Sequence, residues 1–298
     1  MIIIFYKLSL CKNIINNKSK KKSFSIRVFF TSHKTTAKLR LFFDMCNKDL
    51  FFRDFGNGKP IIILHGIMGS SDFWIPTAKV LSDKYRVLIP DLPNHGNSLH
   101  TNTLDYQSMA NIIEEFAVTN NIEKPIIIGH SYGGKIALQM TKKNNIDIEK
   151  IVVIDITSGK QDSKNIEKMI KILSLPLPFI SSYEQASKYF ASLTDDQNTI
   201  TLLSKGLKRE GKQLRWKWNT ELLCRQYSQI LQPTTLPTQC HIPLLLIKGE
   251  LSDYITPSGI RELQNSFTQV KVASVANAGH WVHTDNFDDF ISTIESFL

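Results

Sequence analysis

The sequence of 298 residues has no apolar run that reaches the ~18 residues a helix needs to span a bilayer. It has only four cysteines, Cys11, Cys46, Cys224 and Cys240. None stands in a C-x-x-C or zinc-like spacing, so they read as free thiols of an intracellular protein. Acidic residues are missing altogether from residues 1–43, which hold ten Lys or Arg. The other 255 residues carry 26 basic and 27 acidic side chains, so the net charge of +9 belongs to the N-terminal segment. The body is close to neutral, which gives no footprint for nucleic acid. Apolar content of 42% and charged content of 21% are ordinary for a globular chain of this length, which is long enough to bury a large core.

Residues 1–44 differ from everything after them. MIIIFYKLSL is apolar, NNKSKKKS is polar and basic, and SIRVFFTSHKTTAKLRLFF mixes basic, hydroxylated and aromatic residues. An acid-poor, basic, Ser/Thr-containing start has the character of a mitochondrial transit peptide. The alternative is that translation begins at Met45. On either reading the folded domain is 45–298, mitochondrial if the extension is real and cytoplasmic otherwise.

From Leu50 onward short apolar runs alternate with helical segments. LFFRDFG, KPIIILHG, RVLIPDLP, PIIIGHS, IVVIDI, PLLLIKGE and VKVASVANAG read as seven strands. Most are near-continuous Ile, Leu and Val, as expected for strands covered on both faces of a mostly parallel sheet. Amphipathic stretches such as MANIIEEFAVTNN lie between them, so the expectation is a three-layer α/β fold. Residues 157–242 interrupt the rhythm. They contain helical patterns (NIEKMIKILSL, YEQASKYFASL, RWKWNTELLCRQYSQI) and no convincing buried strand. A structureless loop of that length is improbable, so a helical cap inserted before the penultimate strand is expected. Its aromatic residues Trp216, Trp218 and Tyr227 are candidates for a substrate pocket or for packing between cap and core.

The chemistry is concentrated at PIIIGHSYGG. A buried strand runs into Gly129-His130-Ser131-Tyr132-Gly133, a G-x-S-x-G, and then into the helical pattern KIALQMTKK. Strand, sharp turn and helix form the context in which such a serine is a strained, exposed nucleophile. Its glycines let strand and helix approach with no Cβ between them. A serine hydroxyl is inert at neutral pH unless an imidazole takes its proton, so Ser131 needs a histidine. His280, in NAGHWVH directly after the last strand, stands where the chain order Ser…Asp…His puts the base. His283 is a lesser candidate, and His95, in the turn-rich DLPNHGNS, is expected to bond backbone instead. After the second strand, HGIMGS can aim the Ile67 N–H at the nucleophile. With the N–H of Tyr132 it would form a pair of oxyanion donors.

HGIMGS, DLPNHGNS, GHSYGG and NAGHWVH, in that order over residues 50–298, resemble the α/β-hydrolase superfamily. The combination of N-H-G after the third strand, GHS-x-GGK, IDI and GHW-V-H is narrower, and RWKWN goes with it. It is similar to a subfamily of small esterases known from bacteria and, in animals, from mitochondria. The resemblance implies the α/β-hydrolase fold and hydrolysis of small acyl esters or thioesters by Ser131 and His280, with no metal or organic cofactor. Carbon–carbon bond hydrolases and lyases reuse the same triad, and some members of the fold only bind ligands. The intact serine, histidine and glycines speak against a mere binder. Dehalogenases and epoxide hydrolases of this fold carry aspartate at the elbow, where this chain has serine.

The acid of the triad has two candidates. The usual position follows PLLLIKGE, three residues beyond its glycine. Here Ser252 holds that position and Asp253 is one step further, which turns an extended side chain to the opposite face. Asp155 closes the apolar run IVVIDI beside the elbow strand, where an unpaired carboxylate is costly to bury. The resembled subfamily carries an acid at this IDI position, which favours Asp155 over Asp253.

Overall fold

The computed structural model describes residues 50–142, 145–162 and 164–298. The expectations for residues 1–44, Cys11 and Cys46 lie outside the described residues. Among those described, Cys224 and Cys240 are free thiols and no helix is long and apolar enough to cross a membrane.

Seven strands form one sheet: β1 (Phe52–Phe55), β2 (Lys59–Leu64), β3 (Tyr85–Pro90), β4 (Ile126–His130), β5 (Lys150–Ile154), β8 (Leu244–Gly249) and β9 (Val270–Val275). Their spatial order is β1-β3-β2-β4-β5-β8-β9, with β1 antiparallel to β3 and every other pairing parallel. The Ile-rich runs sit in the middle of this sheet because each must bury both faces. Alternate residues go to opposite sides. Ile62, Leu64, Leu88, Ile127 and Val153 join one core, and Ile61, Ile63, Val87, Ile126, Ile128 and Val152 the other. The first core is covered by α2 (Tyr106–Thr119), α3 (Tyr132–Met140) and α8 (Pro257–Ser266). The second is covered by α1 (Ile75–Leu81), α9 (Val282–Asp285) and α10 (Phe287–Glu295), through Ala78, Leu81, Val282, Phe290 and Ile294. The expected three-layer α/β architecture is present, with a mostly parallel sheet between two helical layers.

The order of strands sets where a site can form. From β2 the chain steps to β3 on one side and then to β4 on the other, so the switch point of the sheet lies between β2 and β4. Ligands of open α/β sheets bind beyond the C-terminal ends of strands at such a point, where loops diverge and leave a crevice. The loops that begin at His65 and Ser131 leave the sheet there.

Between β5 and β8 lies an insertion of α4 (Lys164–Leu173), α5 (Tyr183–Ala191), α6 (Gln197–Lys205), β6 (Leu207–Glu210), β7 (Gln213–Trp216) and α7 (Thr220–Ile230). Two features differ from the sequence expectation. Helix α6 is not among the helical patterns named from the sequence, and β6 pairs with β7 as an antiparallel hairpin around Gly211 at φ 61°. Only Leu207 and Leu214 of the hairpin are buried, so it lacks the apolar run of the sheet strands. RWKWN is accordingly not helical: Arg215 and Trp216 end β7, and Asn219 caps α7 through a bond from the Leu222 N–H.

Candidate active site

Ser131 stands between β4 and α3 with φ 51° and ψ −115°, a conformation that L-residues rarely hold. The surroundings enforce it. A Cβ on Gly129 would run into the Gly133 carbonyl, and one on Gly133 into the carbonyl of Leu64 in β2. The Ser131 N–H donates to Ile154 O at 3.0 Å, and its carbonyl starts α3 by accepting from Lys135 N. The strain therefore rests on packing between three neighbouring elements rather than on the turn alone.

Asp155 follows β5 with φ 50° and no exposed surface. Its Oδ2 lies 2.8 Å from His280 Nδ1. Its Oδ1 accepts from the Gly249 N–H at 3.0 Å, and Oδ2 also accepts from the Ser252 hydroxyl. A buried carboxylate is tolerable only with such a set of donors. Ser252 thus holds the loop position where an acid was the usual expectation, and it supports the acid that comes from β5. Asp253 is exposed and lines a separate surface cavity near Glu262. Of the two aspartates weighed from sequence, Asp155 is the one beside His280.

His280 is held from two more sides. Its ring stacks on Tyr254 with centroids 3.8 Å apart, and its carbonyl accepts from His130 Nε2 at 2.8 Å. His130 directly precedes Ser131, so the loop that carries His280 is tied to the turn that carries Ser131. Burial and the neighbouring histidines push His130 well below the usual imidazole range, so it stays neutral. His283 is buried against Trp74, with ring planes 9° apart and centroids 4.1 Å apart. Neither of its nitrogens has a hydrogen-bond partner among the described residues, and burial lowers its pKa to about 3. It does not line the cavity beside Ser131.

Two further histidines build the loop under the expected oxyanion donors. His65 Nδ1 donates to Gly66 O at 2.8 Å and its Nε2 accepts from Leu92 N at 2.9 Å. His95 Nδ1 donates to Pro93 O at 2.8 Å and its Nε2 accepts from Met68 N at 3.0 Å. Each imidazole reaches across to the other loop, so HGIMGS and DLPNHGNS are laced together. Burial lowers the pKa of His65 to about 4 and that of His95 to about 3, which keeps the accepting lone pairs free of protons. His95 bonds backbone as expected, from a fully buried position. Within this frame the turn bond runs from Gly69 N to Gly66 O, and Ile67 lies against the cavity with Tyr132. The Tyr132 N–H is the first of α3 and has no acceptor within its helix.

Ser131, His280, Ile67 and Tyr132 all line one cavity of about 390 Å³ beneath the insertion, within the usual range for small-molecule sites. Ile156, Ile166, Met169, Ile172, Leu202 and Trp281 give it apolar walls, most of them from α4, α6 and the strand ends. Trp216 and Trp218 do not line it, so the pocket role weighed for them is corrected. They stack on each other at 5.2 Å, Trp216 packs against Phe190, and the Trp218 ring fills the space beside Gly206. The next residue explains the segment. Asn219 N donates to Asn94 O at 2.9 Å and its side chain to Asn94 Oδ1 at 3.2 Å, while Lys217 pairs with Asp72 at 3.0 Å. RWKWN fastens the insertion to the body. Tyr227 packs against the core.

Lys135 was not singled out from sequence. Buried in the first turns of α3, it donates to Gly159 O and Gln232 O, each at 2.7 Å. These carbonyls stand at the two ends of the insertion. Burial draws its pKa down to about 7, and the paired carbonyls favour the ammonium form. The repeated glycines of the elbow masked this residue, whose signal was a lysine inside an otherwise apolar helix.

Comparison with known proteins gives concordant matches. The family model described as alpha/beta hydrolase fold matches residues 59–176. The chain is 30% identical over 249 residues to the sn-1-specific diacylglycerol lipase ABHD11 of Mus musculus, covering 80% of each. It is 28% identical over 243 residues to Esterase YbfF of Escherichia coli (strain K12), covering 81% of this chain and 94% of that one. Among solved structures, a marine microorganism esterase superposes with a TM-score of 0.80 at 35% identity, over 84% of this chain and 99% of the other.

Proposed function

Since the chain belongs to the α/β-hydrolase fold family, in the branch where bacterial and animal esterases meet, we propose that it is a serine carboxylesterase acting on small acyl esters. The observation that carries the reading is the buried Asp155–His280 pair, whose imidazole borders the same cavity as Ser131 on its strained turn. With Nδ1–H given to the carboxylate, Nε2 holds the lone pair that a serine proton requires. Ser131 Oγ attacks the ester carbonyl while His280 takes its proton. The N–H groups of Ile67 and Tyr132 receive the developing oxyanion. Protonated His280 then gives its proton to the departing alcohol, and Asp155 stabilises the imidazolium until that happens. Water repeats the sequence on the acyl-enzyme and frees the acid. Thioesters of the same acyl groups fit this chemistry, because the attack is on the same carbonyl. The insertion serves as the cap, and its apolar residues Ile166, Met169, Ile172 and Leu202 support an acyl chain as the occupant.

Hydrolysis of p-nitrophenyl acetate by purified wild type and Ser131→Ala tests this. The variant is expected to lose at least about 10³-fold in kcat while keeping its fold. Hydrolysis near the wild-type rate by folded Ser131→Ala would overturn the proposal.

A further inference from the structure

The insertion carries an apolar patch that no part of the described chain covers. Helix α4 ends at Leu173, which is buried, and the next buried anchor is Ile180. Between and just after them lie Leu175, Pro176, Pro178, Phe179 and Tyr183, all exposed, with Phe179 70% accessible. Three of the most exposed large apolar side chains therefore fall within nine residues. Clustered exposure of this kind marks an interaction surface, whereas scattered exposure does not. Pro176 and Pro178 have no N–H, and the Leu175 N–H is satisfied by Ile172 O.

Charge says what kind of surface would meet this patch. Residues 157–242 hold 12 Lys or Arg and seven Asp or Glu, a net of +5. The rest of 44–298 holds 14 and 20, a net of −6. Lys171 is exposed at the end of α4, Lys168 lies at the edge of the cavity, Lys164 is paired with Asp162 at 3.7 Å, and Arg209 donates to the Ser181 carbonyl two residues beyond Phe179. Of the nearby acids, Asp162 is paired with Lys164, Glu184 with Lys188 and Glu210 with Arg215, so the net positive charge of the insertion is carried by its other cations. An exposed apolar segment on an insertion of net positive charge matches an anionic membrane surface, where the apolar side chains enter the acyl boundary and the cations meet headgroups. The position also matters. Helix α4 lines the catalytic cavity with Ile166, Met169 and Ile172, and the patch begins two residues after the helix ends.

We infer that the Leu175–Tyr183 segment docks the insertion on an anionic lipid surface and so presents the cavity mouth to esters dissolved in that surface. The docking stands on exposure and charge, while its use rests on the esterase reading above. The test uses the full chain with vesicles of phosphatidylcholine and phosphatidylglycerol in equal parts, compared with phosphatidylcholine alone. Amide hydrogen exchange is followed by mass spectrometry over residues 174–183. Slower exchange in that segment with anionic vesicles is expected, weakening as salt is raised. The double variant Leu175→Ser, Phe179→Ser should lower the vesicle partition by about tenfold or more, since it removes two side chains' worth of apolar burial. Its hydrolysis of soluble p-nitrophenyl acetate should match wild type, which separates loss of docking from loss of the active site. Vesicle binding without protection of 174–183 would mean that the basic N-terminal residues bind alone, and would overturn the inference. So would protection that appears without vesicles as protein concentration rises, because the patch would then be a contact between two copies.

Discussion

Replacing Asp155 with asparagine should separate orientation of His280 from its mere presence. In the wild type two carboxylate oxygens face three donors: His280 Nδ1–H, the Gly249 N–H and the Ser252 hydroxyl. An amide offers one acceptor oxygen and two N–H groups. If its oxygen keeps Gly249, its nitrogen confronts His280, whose Nδ1 must become the acceptor. The imidazole proton then sits on Nε2, the nitrogen that has to take the serine proton. If the amide is reversed, its nitrogen opposes the buried Gly249 N–H, which loses its partner at a cost of about 1–3 kcal/mol. The first outcome keeps the fold and removes the base. The loss in kcat should therefore approach about 10⁴, equivalent to roughly 5.5 kcal/mol of transition-state stabilisation. The assay is steady-state hydrolysis of p-nitrophenyl acetate by Asp155→Asn and Asp253→Asn, with urea unfolding to verify that both are folded. Asp253→Asn should stay within about twofold of wild type, as befits an exposed surface change. A collapse of kcat in Asp253→Asn alone would refute the reasoning.

The buried neutral histidines predict acid sensitivity. His65, His95 and His283 have folded pKa values of about 4, 3 and 3, all below the unfolded value. The unfolded chain therefore binds protons that the folded one does not, and stability falls as pH drops from about 6.5 toward 4, by up to about 1.4 kcal/mol per pH unit for each. His283→Phe removes one such group without removing a hydrogen bond, so urea unfolding should show a shallower loss between about pH 6.5 and 5; an unchanged slope would count against its being neutral. Within the cavity, Met169→Trp should shift preference among C2 to C8 esters toward the shorter chains. Trp218→Ala should instead cost about 3–5 kcal/mol of stability and leave the chain-length profile intact.

The sheet was legible because most strands, the central ones above all, are apolar runs bounded by turns, and a central parallel strand tolerates little else. The elbow was legible because GHSYGG stands between such a run and a helix. The hairpin β6–β7 was not, since a surface hairpin has no need of an apolar run; only Glu210-Gly211-Lys212 hinted at the turn. The two aspartates could not be separated by spacing. What sets them apart is a backbone φ of 50° at Asp155 and the side to which the Asp253 loop turns, and both arise from tertiary packing. Trp216 and Trp218 show a related ambiguity, because an aromatic residue that fills a core and one that lines a pocket are the same in sequence. The lacing of His65 to Leu92 and of His95 to Met68 was hidden for a different reason. It joins two loops 27 residues apart, and only their adjacency on β2 and β3 brings them together.

The central claim is that Ser131 is a nucleophile activated by His280. A fluorophosphonate probe, which reacts with a serine only when its hydroxyl is activated, tests it directly when followed by peptide mapping of the full chain. The account predicts a single labelled peptide, carrying the adduct on Ser131, and labelling that is lost in Ser131→Ala and strongly slowed in His280→Ala. An unlabelled folded protein, or an adduct on any other serine that persists in Ser131→Ala, would contradict it.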